Sequence, residues 1–387
     1  MLNYNSYNSE TSSTKMEWCE VPSQSFHVWD QKLASTDCPY LQFPFWVKAH
    51  EEQGYRTRFF YYGDVDRPIA TAAIMEAGRF PFRFALVDRG PFIFSSSPED
   101  AEKCVLSLIE LAKNLDYAFV RFTHGQDEVF SILRRSESVK SLEPYPFSRD
   151  PRNFLIVQQK DTKHETLATF NETARRKIRK AADVGYEFRI ASSKEDFDLA
   201  WDLFERLALR KRFNLSSKPK RVWKKIIELG AENARARLYL CTYEDKLVAA
   251  QIIVSGGVIA EGTLSALDVD ALEGKPSPAA LLTWIGMRDA QELGCNYFDM
   301  GGPGDPKRNN HVFEFKRMFR PEGRVMPGPV CAVIHPVRHW IWMKVILRGW
   351  RAWRARFACI QVGFAESFSE IHLLSPAFSS LLQHVPV

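Results

Sequence analysis

The 387 residues exceed what one core ordinarily holds and suit two domains of common size. Apolar residues make up 45% and charged residues 26%, the balance of a globular chain rather than a disordered or fibrous one. No apolar run approaches ~18 residues, which excludes a membrane-spanning helix, and the formal charge of +5 permits an anionic partner without requiring one.

The seven cysteines are an odd, scattered set with no C-x-x-C, which argues against a zinc site or a disulfide framework and fits a reducing cytoplasm. The opening fifteen residues lack the apolar centre of a leader and read as a disordered tail, here bounded at 1–24. Leu41 to Gly54 then reads as a helix. Arg58–Tyr62 and Ile69–Met75 read as strands about the turn Gly63-Asp64, and Phe84–Val87 as a strand stopped by Arg89-Gly90-Pro91. Pro98–Asn114 has Pro and acids in its first turn and helical apolar spacing. Tyr117–Phe122 is a strand and Val129–Arg135 a short helix. Residues 25–150 therefore form one strand-rich α/β unit.

A Pro-rich stretch from Pro144 to Pro151 separates it from a second unit, 151–328. Phe154–Gln158 reads as a strand, Glu165–Ala182 as one helix closed by Gly185, and Phe188–Ala191 as a strand. Lys194–Lys211 and Lys220–Leu229 are helices. Ala236–Tyr243, Leu247–Ser255 and Val258–Ser265 are strands. Ser277 is expected to cap a helix with Pro278 in its first position, running to Leu293. Asn296–Met300 is a strand ending at Gly301-Gly302. The segment 329–387 reads as helical. The second half thus repeats the first unit's pattern in longer form, without close residue identity.

Cations gather in three places: Arg175 to Lys180, Arg206 to Lys225, and Arg338 to Arg356, the last two without an intervening acid. A solvated helix face explains any one of them; three together favour an anionic ligand. The histidines show no metal spacing, and no nucleophile–base arrangement is readable. Gly301-Gly302-Pro303-Gly304 follows a strand without a clear helix behind it, so a dinucleotide site is not expected, and no cofactor is expected.

The most specific pattern lies at 284–323. Ala290 to Gly294, then Phe298-Asp299-Met300-Gly301-Gly302, then Phe315-Lys316 with Phe319 are similar, in order and spacing, to the A-x-x-x-G, Y-D-x-G-G and F-K-x-x-F of the Fem peptidoglycan-bridge transferases. Arg175 to Ala181 resembles that family's R-x-x-I-R-K-A helix, and Arg210 with Phe213 its R-x-x-F. Leu41-Gln42, Trp46 and Gly54 resemble its opening, and Arg89-Gly90-Pro91 its R-G-P turn. The resemblance spans 40–325. It implies two tandem acetyltransferase-like (GNAT) α/β domains with mixed sheets flanked by helices. It also implies transfer of an amino acid from aminoacyl-tRNA to an amine of a UDP- or lipid-linked envelope precursor.

Aminolysis of an ester needs no enzyme nucleophile, since the amine attacks directly. It needs stabilisation of the tetrahedral oxyanion, where one fixed donor is worth ~3–4 kcal/mol. Lys316 is the candidate cation, as the resemblance implies, with Phe315 beside it to stack on a base. Arg210 and Arg212 are candidates for a diphosphate. Arg175 and Arg179 belong to the basic helix expected at the substrate. Counting from Gln42, the family's phosphate-contacting base falls at His50, with Lys48 nearby. Glu261 stands where the family shows tyrosines and offers a base for the attacking ammonium; a solvent-facing strand charge is the plainer reading. Asp299 is expected to cap the glycine turn.

From Val337 to Phe357, Trp340, Trp342, Trp350 and Trp353 alternate with Arg and Lys. Such a segment either lies on the inner membrane face or packs on the first domain. Two further readings stand beside the aminoacyl transferase: an N-acyltransferase drawing on acyl-CoA or an acyl carrier, and a non-catalytic RNA- or membrane-binding protein.

Overall fold

The computed structural model describes residues 16–123, 125–137, 139, 141–144, 153–211, 215, 219–302, 311–327 and 329–346. The first half runs β1 (Trp18–Glu20), α1 (Phe26–Leu33), α2 (Pro44–Ala49), β2 (Arg56–Gly63), β3 (Pro68–Ala77), β4 (Phe84–Asp88), β5 (Phe92–Ile93), α3 (Pro98–Asn114), β6 (Phe119–Thr123), α4 (Asp127–Arg135) and β7 (Ser141–Pro144). The second half opens with β8 (Asn153–Gln158), α5 (Lys163–Thr169), α6 (Glu172–Ala182), β9 (Glu187–Ile190), α7 (Lys194–Lys211) and α8 (Lys220–Ala231). It continues with β10 (Ala236–Tyr243), β11 (Lys246–Ser255), β12 (Ile259–Leu267), α9 (Ala279–Glu292), β13 (Tyr297–Asp299) and α10 (His311–Arg317). Last come β14 (Glu322–Val325), β15 (Val330–Val333) and α11 (Pro336–Ile341), which continues into a π-helical turn over Trp342–Ile346.

Among the described residues the strands form two mixed sheets. The first is ordered β1-β2-β3-β4-β6-β15-β7 with β5 on β3, the second β14-β8-β13-β12-β11-β10-β9. Each contains one parallel pair, β4 with β6 and β12 with β13, joined through a helical crossover. The tandem α/β architecture expected from the sequence is therefore present.

Three local readings change. The helix expected over 165–182 is two helices, because Phe170 plugs the second core and the Asn171 side chain accepts from Ala174 N at 2.8 Å, starting a new helix. Pro278, not Ser277, is the N-cap residue of α9, and the Ser277 hydroxyl accepts from Ala279 N. The segment from 329 does not begin as helix: β15 returns to the first sheet, between β6 and β7.

α3 shows how pattern becomes packing. Ser97 caps it, Glu99 and Asp100 face the positive end of its dipole, and Ala101, Cys104, Val105, Leu108, Ile109 and Ala112 form its buried stripe. That stripe fills one side of the first sheet; α6 and α9 cover one side of the second.

The remaining core is shared between the halves. Phe43, Trp46 and Phe59 from the first half join Trp201, Phe204, Trp223 and Ile252 from the second in one apolar cluster, with Trp46 and Trp223 ring centres 6.2 Å apart. Backbones also meet. Gly257 N donates to Cys38 O at 2.9 Å, and a Cβ on Gly257 would overlap the Thr36 carbonyl. The chain is a fused pair rather than two beads on a linker. No helix among the described residues is long and apolar enough to cross a membrane.

Candidate functional site

β12 and β13 lie parallel in a register that sets Glu261 beside Asp299. Alternation along β13 sends Phe298 into the second core and leaves Asp299 on the opposite face, towards the first half. The pairing covers only Ile259–Glu261 against Tyr297–Asp299. Just beyond, the β11–β12 register shifts, so that Ile253 faces Gly262 while Ile252 faces Leu264 and Thr263 is the extra residue. The strands part there, and β13 gives way to Gly301-Gly302. Gly301 has φ +70°, a conformation glycine adopts without strain.

Into this junction the first half sends Arg89. Its guanidinium lies 3.3 Å from Asp299 Oδ2, 3.7 Å from Glu261 Oε2 and 4.8 Å from the Phe154 ring centre. Tyr40 adds a hydroxyl that donates to Glu261 Oε2 at 2.8 Å. Asp299 Oδ1 accepts from Gly301 N at 2.7 Å, so this carboxylate holds the turn with one oxygen and faces Arg89 with the other. Asp299 is fully buried. Burial, then the Glu261 charge, pushes its pKa up to about 6, against the opposing pull of Arg89. Burial also raises the Tyr40 hydroxyl well above its usual range.

Lys316, on α10, reaches the same place. Its Nζ donates to Gly302 O at 2.8 Å and sits over Gly301. Burial lowers its pKa, while Asp299 and Glu261 act in the other direction. Among the described residues no carboxylate comes within ion-pair distance of that ammonium. The site thus holds a partly desolvated cation on a carbonyl at the parted strands, with two carboxylates held back by Arg89 and Tyr40. A cation so placed can neutralise a developing oxyanion, and a carboxylate near it can take a proton from an attacking ammonium.

A cleft of about 570 Å³ runs between the halves to this point, lined by Asp37, Pro39 and Arg89 on one side and Ile259, Tyr297 and Arg324 on the other. Arg89 belongs to both the cleft and the buried cluster; Lys316 does not line the cleft. No group of side chains suited to a metal occurs among the described residues.

Of the residues expected at a site, Lys316 and Glu261 lie near enough for their charges to interact, beyond ion-pair distance. Phe315 packs on the second core, its ring 5.4 Å from Phe319. Lys48 pairs with Glu51 at 2.6 Å. His50 is buried, its Nδ1 2.8 Å from Trp46 O and its ring against Trp46. The local helical turn directs that ring into the core. Arg175 donates to the carbonyls of Ala168 and Phe170, closing the break between α5 and α6. Arg179 is exposed, and Arg210 is exposed with Nη2 3.2 Å from Leu267 O. Arg212 lies outside the described residues.

Sequence reasoning passed over Arg89 and Tyr40. The R-G-P turn marked Arg89 as a motif residue, and its φ of +53° sets it apart, but no spacing linked it to a strand 210 residues away. Tyr40 carried no signal.

Residues 168–317 match the family described as the acetyltransferase (GNAT) domain. The protein is an acyltransferase, and its GNAT-type domain lies in the second half. The chain superposes on the crystal structure of FemX with TM-score 0.70 and 14% identity, covering 85% of this chain and all of that one. A conserved protein of unknown function from Bacteroides thetaiotaomicron VPI-5482 gives TM-score 0.58 and 10% identity, over 82% of this chain and 99% of that one. L-PGS from Bacillus licheniformis gives TM-score 0.50 and 16% identity, over 84% and 96%. At these identities the likeness is one of fold, and the resemblance to the Fem architecture holds at that level. No curated protein matches in sequence.

Proposed function

We propose that this acyltransferase moves an aminoacyl group from aminoacyl-tRNA to an amine of a UDP- or lipid-linked cell-envelope precursor. The observation that carries the reading is the Lys316 ammonium, partly desolvated, free of carboxylates among the described residues, and resting on Gly302 O where β12 and β13 part. The motif resemblance and the FemX-like fold support it.

In the proposed step the amine nitrogen attacks the ester carbon and forms the C–N bond. Negative charge gathers on the carbonyl oxygen beside Lys316. The ammonium produced loses its proton to Glu261. Collapse of the tetrahedral species breaks the C–O bond, and the departing ribose oxygen takes up that proton. The acceptor amine enters by the cleft at Arg89, and the donor ester lies against the Gly301-Gly302 backbone.

The test incubates the purified chain with charged tRNA or acyl-CoA and an envelope-precursor amine, read by mass spectrometry. The expected product is an aminoacylated amine from the tRNA arm alone. Product from acyl-CoA alone would replace the donor, and no product from either would remove the reading.

A further inference from the structure

Four of the most exposed apolar side chains converge on one edge of the first half. Phe80 is 72% exposed at the turn between β3 and β4, and Val337, Trp340 and Val345 are 71%, 58% and 56% exposed on α11 and the turn that continues it. The two segments touch: the Arg338 guanidinium lies 5.5 Å from the Phe80 ring centre. The helix is also anchored to the shared core. Trp342 is buried 4.9 Å from the Phe84 ring, so the helix is anchored by one face while Val337, Trp340 and Lys344 stand on another. A groove of about 510 Å³ runs beside Trp340 between His339 and Met343.

Cations stand beside these tips. Arg79 and Lys344 are exposed there. The acid on this edge, Asp116, is engaged by Arg338 at 2.6 Å and faces His335 at 3.4 Å. The sequence contains no Asp or Glu from Gly323 to Ala365. An edge with an indole, a phenyl and two valines flanked by exposed cations has the chemistry of an interfacial anchor. The rings and aliphatic tips enter the acyl boundary and the cations stay at the phosphates. Nucleic acid would use the cations and the rings but would leave the valines uncovered.

We propose that this edge, Phe80 together with Val337, Trp340 and Val345, docks the protein on an anionic lipid surface. The proposal does not depend on the acyl donor or acceptor, and its test reads binding rather than transfer. The full chain is sedimented with vesicles of phosphatidylcholine alone and of phosphatidylcholine mixed with phosphatidylglycerol. The unmodified chain is expected to pellet with the anionic vesicles, less so as salt rises. Phe80→Ser with Trp340→Ser, and separately Arg79→Glu with Lys344→Glu, are each expected to weaken binding about tenfold or more. All four positions are exposed, and circular dichroism melts check that the fold is kept; should the serine pair unfold, the charge-reversed pair decides. Failure of the unmodified chain to bind, or binding unaltered in both variants, overturns the proposal. So does an edge that instead holds a second copy of the chain or tRNA, seen as a lost dimer or lost RNA binding in variants that still pellet with vesicles.

Discussion

The guanidinium of Arg89 stands 3.3 Å from the carboxylate of Asp299, and this contact ties the R-G-P turn of one half to the strand end that precedes the glycine pair of the other. Glu261 lies 3.7 Å from the same guanidinium. Arg89 is thus the cation that compensates one fully buried carboxylate, Asp299, and one half-buried carboxylate, Glu261, at one junction. Replacing it with Met leaves both uncompensated, and such losses typically cost ~3–5 kcal/mol. Arg89→Met is therefore expected to lower the denaturant midpoint sharply. Asp299→Asn in the same chain should recover part of the loss, a coupling on the order of 1 kcal/mol or more. Strict additivity in the double-mutant cycle would show that the contact carries no energy.

Lys316 tests the chemistry rather than the fold. Lys316→Met removes a desolvated charge whose bond is to a single carbonyl, so the melting temperature should change little. The transfer rate should fall about 10²–10³-fold, the usual cost of losing one oxyanion donor. Burial lowers the lysine pKa, so the rate should decline on the alkaline side below the ordinary lysine range. Lys316→Arg, charged at any accessible pH, should abolish that limb even if its rate is low. A rate profile of unchanged shape in the Arg variant would place the titrating group elsewhere.

How legible all this was depends on range. α3 and α7 could be bounded from the sequence because caps, dipole acids and apolar spacing are local. β14 and β15 could not, since each is defined by a partner far away, β8 and β6. The break at Phe170-Asn171 hid in a continuous helical pattern because tertiary burial of Phe170 decides it. At the site, Lys316 came through motif resemblance and Glu261 through its departure from the tyrosines of the resembling family. Arg89 and Tyr40 meet them only because the halves share a core.

Asp30 offers a pH test away from the site. Its Oδ1 accepts from Phe45 N at 3.1 Å, and burial pushes its pKa up to about 7, with the Arg235 charge opposing and Glu232 adding. An acid whose pKa is raised in the folded state holds its proton more tightly there than when unfolded. Its contribution is complete below the unfolded value and is lost as pH rises through the folded one. Asp299 acts in the same direction up to about 6. Between about pH 4 and about pH 7, stability from these two groups should therefore decline. Asp30→Asn keeps the acceptor oxygen and removes the titration. It should flatten that slope and stabilise the protein at about pH 8 by up to a few kcal/mol. Urea melts across the range check this, and a slope unchanged by the substitution would mean that Asp30 is not the titrating group.

Gly257 controls how closely the two halves approach. Its N–H donates to Cys38 O at 2.9 Å, and an added Cβ would occupy the place of the Thr36 carbonyl oxygen. Backbone, unlike the end of a flexible side chain, has little room to yield, so Gly257→Ala must push the Thr36–Cys38 loop off the second sheet. Tyr40 follows that loop by two residues, and its bond to Glu261 would be strained with it. A loss of about 2–4 kcal/mol in unfolding free energy is expected, by analogy with overpacked cores. Gly256→Ala, whose Cβ would come 2.6 Å from Cys38 O and Tyr40 N, should behave in the same way. Gly323→Ala, with nothing within 4 Å, should be nearly neutral. Near-wild-type stability in Gly257→Ala would mean that the halves meet less tightly than the shared backbone bond requires.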